Sequence, residues 1–270
     1  MKISCLRSVY IKDDPQFLKD AIDSIVHQTR LPDEFLIIHD GLISEEQKEI
    51  IQNYRQQYPF IRLDGYEQNK GLGYALAYGV ERCKFEVVAR MDSDDYSIPE
   101  RFAIQEKYRI EHLEIRVLGS ITYEFIGNTD NVVSKRIVPE DNDAIVDYSR
   151  TRNPFVHPSM FLYKDDILKV GNYESWYLCE DYDLWTKLIM AGCKCHNIQQ
   201  PLTYRRISDD FYKRRGGIKY CHNILRFIKH LRKQKYRSFG QYWKRWLSTV
   251  ITALAPNFVR KFIYTKLLRK

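Results

Sequence analysis

"FEVVARMDSDD", Phe85 to Asp95, is the stretch on which the reading of the fold turns. A largely apolar run ends abruptly in Asp92, Ser93, Asp94 and Asp95. A short apolar run closed by polar residues is the pattern of a buried strand. Three carboxylates at its end repel one another, and each is costly to desolvate without a partner. Either the turn is solvated, or something positive sits beside it.

Upstream the pattern alternates. ISCLRSVYI reads as a strand, and Pro15 to Gln28 as a helix with Phe17, Leu18, Ala21, Ile22, Ile25 and Val26 at helical spacing. Asp13 or Asp14 supplies its cap, and Pro15 suits its first turn. EFLIIHDG is a strand ending in Asp40-Gly41, and Ser44 to Tyr58 a helix with a Ser44–Gln47 capping box. FIRLDGY is a strand, Gly71 to Cys83 a helix, and Phe85 to Asp92 the next strand. This alternation predicts an α/β fold: a mostly parallel, Rossmann-like sheet flanked by helices, which binds ligands at the carboxyl ends of its strands. Asp40 and the Asp92 cluster both lie at such ends and are expected to face one crevice.

Downstream the period changes. RVLGSITYEFIG and VVSKRIV flank Asn128-Thr129-Asp130-Asn131 as a hairpin. NPFVHPSMF follows, then a short helix from Lys164. YLCEDYDLWTKLIMAG, Tyr177 to Gly192, is a helix opened by Glu180-Asp181, with Leu184, Trp185, Leu188 and Ile189 on its apolar face.

Composition sets the surroundings. No stretch has a secretory signal pattern, and no apolar run approaches the ~20 residues of a membrane-spanning helix. The six cysteines therefore read as reduced thiols of a cytoplasmic protein. Cys193, Cys195 and His196 lack the spacing of a zinc site. The net charge of +8 is unevenly placed: residues 205–270 hold 19 Lys and Arg against Asp209 and Asp210, a net +17, and the rest is −9. A basic tail implies an anionic partner. Trp243, Trp246, Leu247, Val250, Ile251 and Leu254 share a helical face; Pro256 interrupts, and Val259, Phe262, Ile263, Leu267 and Leu268 follow. Basic amphipathic helices with Trp lie in membrane interfaces. A helical lid packed on the body is the alternative. No nucleic-acid module is present, so nucleic acid is not expected as a partner.

Two carboxylates at D-x-D spacing can hold a divalent cation, and Mg²⁺ commonly bridges such carboxylates to substrate phosphates. A lone D-x-D is also a common solvated loop, and Glu180-Asp181 could simply cap its helix. Five ordered blocks supply the context: SVYIKDDPQFLKDAIDSIVHQT with PDEFLIIHDG, NKGLGYALAYGVERC, VVARMDSDD, NPFVHPSMF and CEDYDLWTKLIMAG. Over residues 3–206 they resemble family 2 glycosyltransferases of the GT-A fold, in particular the bacterial enzymes that build O-antigen and amylovoran-type exopolysaccharide repeats.

The resemblance implies a catalytic domain over 1–210, its nucleotide-sugar half in 1–98 and its acceptor half in 99–210, followed by a basic helical tail over 211–270. It implies that Tyr10 and Asp40 contact the nucleotide base, with Lys70 as a basic nucleotide contact. Asp92 lies against ribose and metal, and Asp94 binds Mn²⁺ or Mg²⁺. Asp181 is the catalytic base, with Glu180 beside it, and His157 is on the acceptor side. Arg205, Arg206, Arg214 and Arg215 are candidates to stabilise the leaving diphosphate. The expected reaction is an inverting, single-sugar transfer from a nucleotide sugar, by default a UDP-hexose, to a polyprenyl-diphosphate-linked saccharide. The enzyme would be cytoplasmic and peripheral on an anionic membrane face of a bacterial cell.

The chain departs from the family pattern at SVYI and at HDG, where His39 reads as a strand residue rather than a catalyst. QYWKRW, Gln241 to Trp246, has one residue more than the Q-x-x-R-W of processive synthases. A sugar nucleotidyltransferase would want a glycine-rich loop after the first strand, and SVYIKDDP has no glycine. An inactive scaffold of the same fold would be expected to lose one carboxylate pair, and both are present.

Overall fold

The computed structural model describes residues 1–207 and 213–263. Its first part is β1 (Ile3–Val9), α1 (Pro15–Val26), β2 (Glu34–Asp40), α2 (Glu45–Gln57), β3 (Ile61–Tyr66), α3 (Leu72–Arg82) and β4 (Val87–Arg90). The second is β5 (Tyr96–Ser97), α4 (Arg101–Glu111), β6 (Ile115–Phe125), β7 (Val132–Arg136), α5 (Asn142–Ser149), β8 (Phe161–Tyr163), α6 (Lys164–Lys169), α7 (Glu180–Met190) and β9 (Lys194–Arg206). Helices α8 (Gly217–Lys233), α9 (Phe239–Leu254) and α10 (Asn257–Phe262) follow.

Among the described residues one nine-stranded sheet runs β3-β2-β1-β4-β8-β6-β9-β5, with β7 on β6. The β3-β2-β1-β4 half is wholly parallel, as the strand–helix alternation predicts. Beyond it, β8 runs antiparallel to both β4 and β6, and β6 is parallel to β9. The expected hairpin is β6 and β7, paired antiparallel.

The parallel strands are apolar on both faces because both faces are covered. Cys5, Phe35, Ile37, Val87 and Ala89 pack under α1, α2 and α4. Their neighbours Leu6, Leu36, Ile38 and Val88 pack under α3 and α7. Asp14 is the cap of α1, accepting from the amides of Gln16 and Phe17, with Pro15 in the first turn. The Ser44–Gln47 capping box forms as read.

The lid alternative holds for α8. Its Ile224, Phe227, Ile228 and Leu231 are buried against Cys179 and Tyr182 of the body. Helix α9 packs back on α8, with Tyr242 against the α8 cluster, buries Thr249 and Ala253, and leaves Phe239, Trp243, Leu247, Ile251 and Leu254 exposed. No helix of the described residues is long and apolar enough to cross a membrane. The expected boundary at 210–211, and Leu267 and Leu268 of the last amphipathic segment, lie outside the described residues.

Candidate active site

Three arginines fix the turn after β4. Arg90, buried at the end of that strand, donates from Nη2 to Asp92 Oδ1 at 2.5 Å. Arg7, buried in β1, donates to the Ser93 carbonyl at 3.0 Å. Arg206, at the end of β9, gives its amide to Asp95 Oδ1 at 2.9 Å and its Nε to the Asp94 carbonyl at 3.2 Å. Its guanidinium also lies 3.7 Å from the Phe17 ring centroid. The three carboxylates therefore differ. Burial alone would raise Asp92, but Arg90 and Arg205 outweigh it and hold that carboxyl below its ordinary range. Burial and then the charge of Asp92 raise Asp94. Asp95 is raised furthest, by burial, Asp94 and Asp92, and its Oδ2 is buried with no hydrogen-bond partner among the described residues.

This donor set fits a divalent cation. Asp92 and Asp94 are hard carboxylate oxygens, partly exposed, and Asp94 is destabilised by a like charge that a cation would relieve. No cluster of three or more metal-binding side chains occurs among the described residues.

The second carboxylate pair lies in the first turn of α7. Asp181 Oδ2 accepts from Asn153 Nδ2, and Oδ1 from the Tyr182 amide, both at 2.6 Å. Burial chiefly raises Asp181, against those two hydrogen bonds. Glu180 is buried, and burial followed by Asp181 pushes it up to about 8. The charge of Asp92 acts on both residues. Two segments some way apart in sequence thus lie within electrostatic reach of each other. His157 faces Asp92 and Arg90, and burial, then Arg90, lowers it to about 3. Its Nε2 is 3.1 Å from the Tyr173 hydroxyl, and its ring is edge-on to Trp185. It is a neutral ring in a packed wall.

At the ends of the first two strands, the half-exposed Tyr10 follows β1 and feels both Asp94 and Arg214. The Asp40 carboxylate accepts from the Tyr66 hydroxyl (2.9 Å), Asn69 Nδ2 (3.1 Å) and the amides of Lys70 (2.7 Å) and Gly71 (2.9 Å). Asp40 thereby ties β2 to the start of α3, and a base N–H would compete for oxygens already engaged. Lys70 is exposed, its Nζ 4.4 Å from the Tyr74 ring centroid.

The four candidate arginines divide. Arg205 pairs with the buried Glu124, and Arg206 clamps the Asp94–Asp95 turn. Arg214 is exposed and acts on Asp94 and Tyr10; Arg215 acts on Asp181. The sequence reading missed Arg7, Arg90 and Asn153. A signal existed for the first two, because an arginine within an apolar strand is buried only when paired. Asn153 carried no such signal.

Residues 8–171 match the model of "Glycosyl transferase family 2". The whole chain is 37% identical over 269 residues to an Escherichia coli UDP-Gal:alpha-D-GlcNAc-diphosphoundecaprenol beta-1,3-galactosyltransferase, covering 97% of it. It is 32% identical over 263 residues to the amylovoran biosynthesis glycosyltransferase AmsE of Erwinia amylovora, covering 97% of this chain and 98% of that protein. In fold it is similar to the mannosyltransferase PcManGT of Pyrobaculum calidifontis, solved with GDP-Man and Mn²⁺, at a TM-score of 0.63 and 11% identity over 86% of this chain and 64% of that one. The sheet, flanked by helices, is the GT-A architecture, and this chain belongs to the family 2 glycosyltransferases.

Proposed function

We propose that this glycosyltransferase moves one hexose from a UDP-sugar to a polyprenyl-diphosphate-linked saccharide, with inversion, using a divalent cation at Asp92 and Asp94. The observation that supports the reading is that the D-x-D turn and the Glu180-Asp181 pair lie within electrostatic reach of each other, Asp92 raising Asp181. The substrate class takes its support from the likeness to the galactosyltransferase and to AmsE.

The residues divide the work. Tyr10 and Asp40 lie at the nucleotide end, and Lys70 and Arg214 bring positive charge towards the phosphates. A bound Mn²⁺ or Mg²⁺ would neutralise charge on the departing diphosphate. Asp181 takes the proton of the acceptor hydroxyl, and that oxygen attacks the sugar from the face opposite the leaving group. One base suffices, since no covalent intermediate forms. Glu180, raised to about 8, keeps its proton at neutral pH. Asp181, with two donors on its carboxylate, is the one to ionise. His157 borders the acceptor side as a shaped wall.

The exposed stripe Phe239, Trp243, Leu247, Ile251 and Leu254, among Lys and Arg, supports a tail that rests on an anionic membrane surface. The enzyme would then work at the cytoplasmic face of a bacterial membrane. The test is product analysis with a panel of UDP-hexoses and a GlcNAc-diphosphate lipid. Free UDP and an acceptor lengthened by one sugar of inverted configuration are expected. Release of pyrophosphate, or a retained configuration, contradicts the proposal.

A further inference from the structure

We infer that the cavity between helix α8 and the loop that leads into α7 is a sugar subsite, holding a saccharide ring of the acceptor close to Asp181. The inference rests on the transfer to a saccharide proposed above and says where that saccharide is held. The cavity has a volume of about 290 Å³. Trp176, Tyr177 and Cys179 line it from the loop, and Asn223, Arg226 and Phe227 from α8. Cys179 stands two residues before Asp181, so their Cα atoms are at most ~7.6 Å apart. One wall of the cavity therefore comes within that reach of the proposed base. All of the lining residues lie beyond 8–171, the span that matches the family model, so the cavity is not part of what that model describes.

Contacts on three sides fix the loop. Glu174 rests on the first turn of α3, where a Cβ on Gly73 would come within 2.7 Å of the Glu174 carbonyl oxygen. The Glu174 carboxylate accepts from Lys187 Nζ of α7 at 2.6 Å and from the Trp176 indole Nε1 at 3.3 Å. The indole also packs on Phe227 and His230 of α8, with ring centroids 5.4 and 4.9 Å away. Trp176 thus spans from α7, through Glu174, to α8. Between Tyr177 and Cys179, Leu178 has a φ of 58°, a left-handed conformation unfavourable for a residue with a side chain. The Cys179 amide closes that turn by donating to the Trp176 carbonyl at 3.1 Å. Strain of this kind persists only where the surroundings over-determine it, and it clusters at ligand clamps. Tyr177 is left 51% exposed at the mouth.

The lining suits a pyranose. Indole and phenol rings offer flat apolar faces to the C–H side of a sugar ring, while amide and guanidinium donors meet its hydroxyls. Among the described residues Asn223 and Arg226 have no hydrogen-bond or ion-pair partner, so their donors are free for a ligand. Glu174 places a carboxylate on the same wall, which opposes a phosphate there. Polar groups on both walls oppose a lipid chain, which would desolvate them without replacing their hydrogen bonds. The donor nucleotide has its proposed contacts elsewhere, at Tyr10 and Asp40. A neutral, hydroxyl-rich ring is the chemistry that satisfies the cavity.

The test compares wild type with a Tyr177→Ala/Asn223→Ala double variant, which strips the cavity, and with Asn223→Phe, which fills it from α8. Neither position is buried, so Tm should stay within a few degrees. Binding of methyl GlcNAc glycoside is read by saturation-transfer NMR, with decyl diphosphate as the anionic comparator, and UDP affinity by calorimetry. Transfer from a UDP-hexose to a GlcNAc-diphosphate lipid gives KM and kcat separately. In both variants the glycoside signal should be lost and the acceptor KM should rise about tenfold or more. Both kcat and UDP affinity should stay within a few-fold, as when binding common to the ground and transition states is removed. An unchanged acceptor KM in the filled variant, loss of UDP affinity instead, or loss of decyl diphosphate binding with the glycoside signal intact overturns the inference. A fall in Tm and in UDP binding together, in both variants, makes the cavity a piece of the scaffold and overturns it as well. If wild type binds the glycoside and both variants abolish that binding, but no sugar reaches the lipid, the subsite stands and the transfer reading falls.

Discussion

Asp181 and Glu180 are neighbours in sequence, yet their oxygens meet different surroundings. Asp181 accepts from Asn153 and the Tyr182 amide, whereas burial and Asp181 push Glu180 up to about 8. A carboxyl raised in the folded state contributes stability that is full below the unfolded value, 4.5, and is lost as pH rises through about 8. Glu180→Gln should remove that loss: its Tm should exceed that of wild type by a few degrees at pH 9, and the gap should close by pH 4 in thermal melts. Asp94 makes a second case. It is raised by burial and by Asp92, so a cation there should relieve repulsion. Mn²⁺ with UDP should raise the Tm of wild type by several degrees and leave Asp94→Ala unmoved, and that variant should lose turnover. Near-wild-type turnover of Asp94→Ala, or full activity in excess EDTA, rules out the metal role. Single residues were legible unevenly. The D-x-D turn and Asp181 stood out because carboxylates at strand and helix ends need partners. Asn153 did not, since its bond to Asp181 exists only once the chain between them is folded.

At the scale of elements, the parallel half was the most legible. Its strands are apolar on both faces and its helices apolar on one, so period two alternates with period 3.6. Beyond β4 the signals weaken. β5 and β8 are two and three residues long, and β9 carries Gln199, Gln200 and Pro201 in its middle. Their assignment depends on what they pair with, which is not local. Arg205 and Arg206 show the cost of reading charge without geometry: one pairs with Glu124 and the other clamps the turn. Helix α9 was legible as amphipathic but not as half-packed. Because Thr249 and Ala253 are buried and Arg260 bonds the last carbonyls of the helix, removing the tail would strip supports from α8. Substitution is the cleaner probe. Trp243→Gln with Leu247→Gln and Ile251→Gln, all at exposed positions, should cut co-sedimentation with anionic liposomes by about tenfold or more while leaving Tm within a few degrees. Equal sedimentation of the variant would show that the stripe does not hold a membrane.

Over the whole molecule, strand ends and the start of one helix carry the candidate site residues. β1 leads into Tyr10, β2 ends at Asp40, β4 leads into the Asp92 turn, and α7 opens with Glu180 and Asp181 beside Asn153. The acidic body carries the candidate carboxylates, and the basic helices cover it with α8 and turn the stripe of α9 outward. The central claim is that Asp181 is the base of an inverting transfer, and its removal tests that most directly. Asp181→Asn keeps the shape of the side chain but cannot accept the proton. Hexose transfer from the UDP-sugar to a GlcNAc-diphosphate lipid should fall by about two to four orders of magnitude, with UDP affinity by calorimetry within a few-fold of wild type. Transfer within tenfold of wild type, or a collapse of UDP binding and Tm together, would contradict the assignment and return Asp181 to the role of a helix cap.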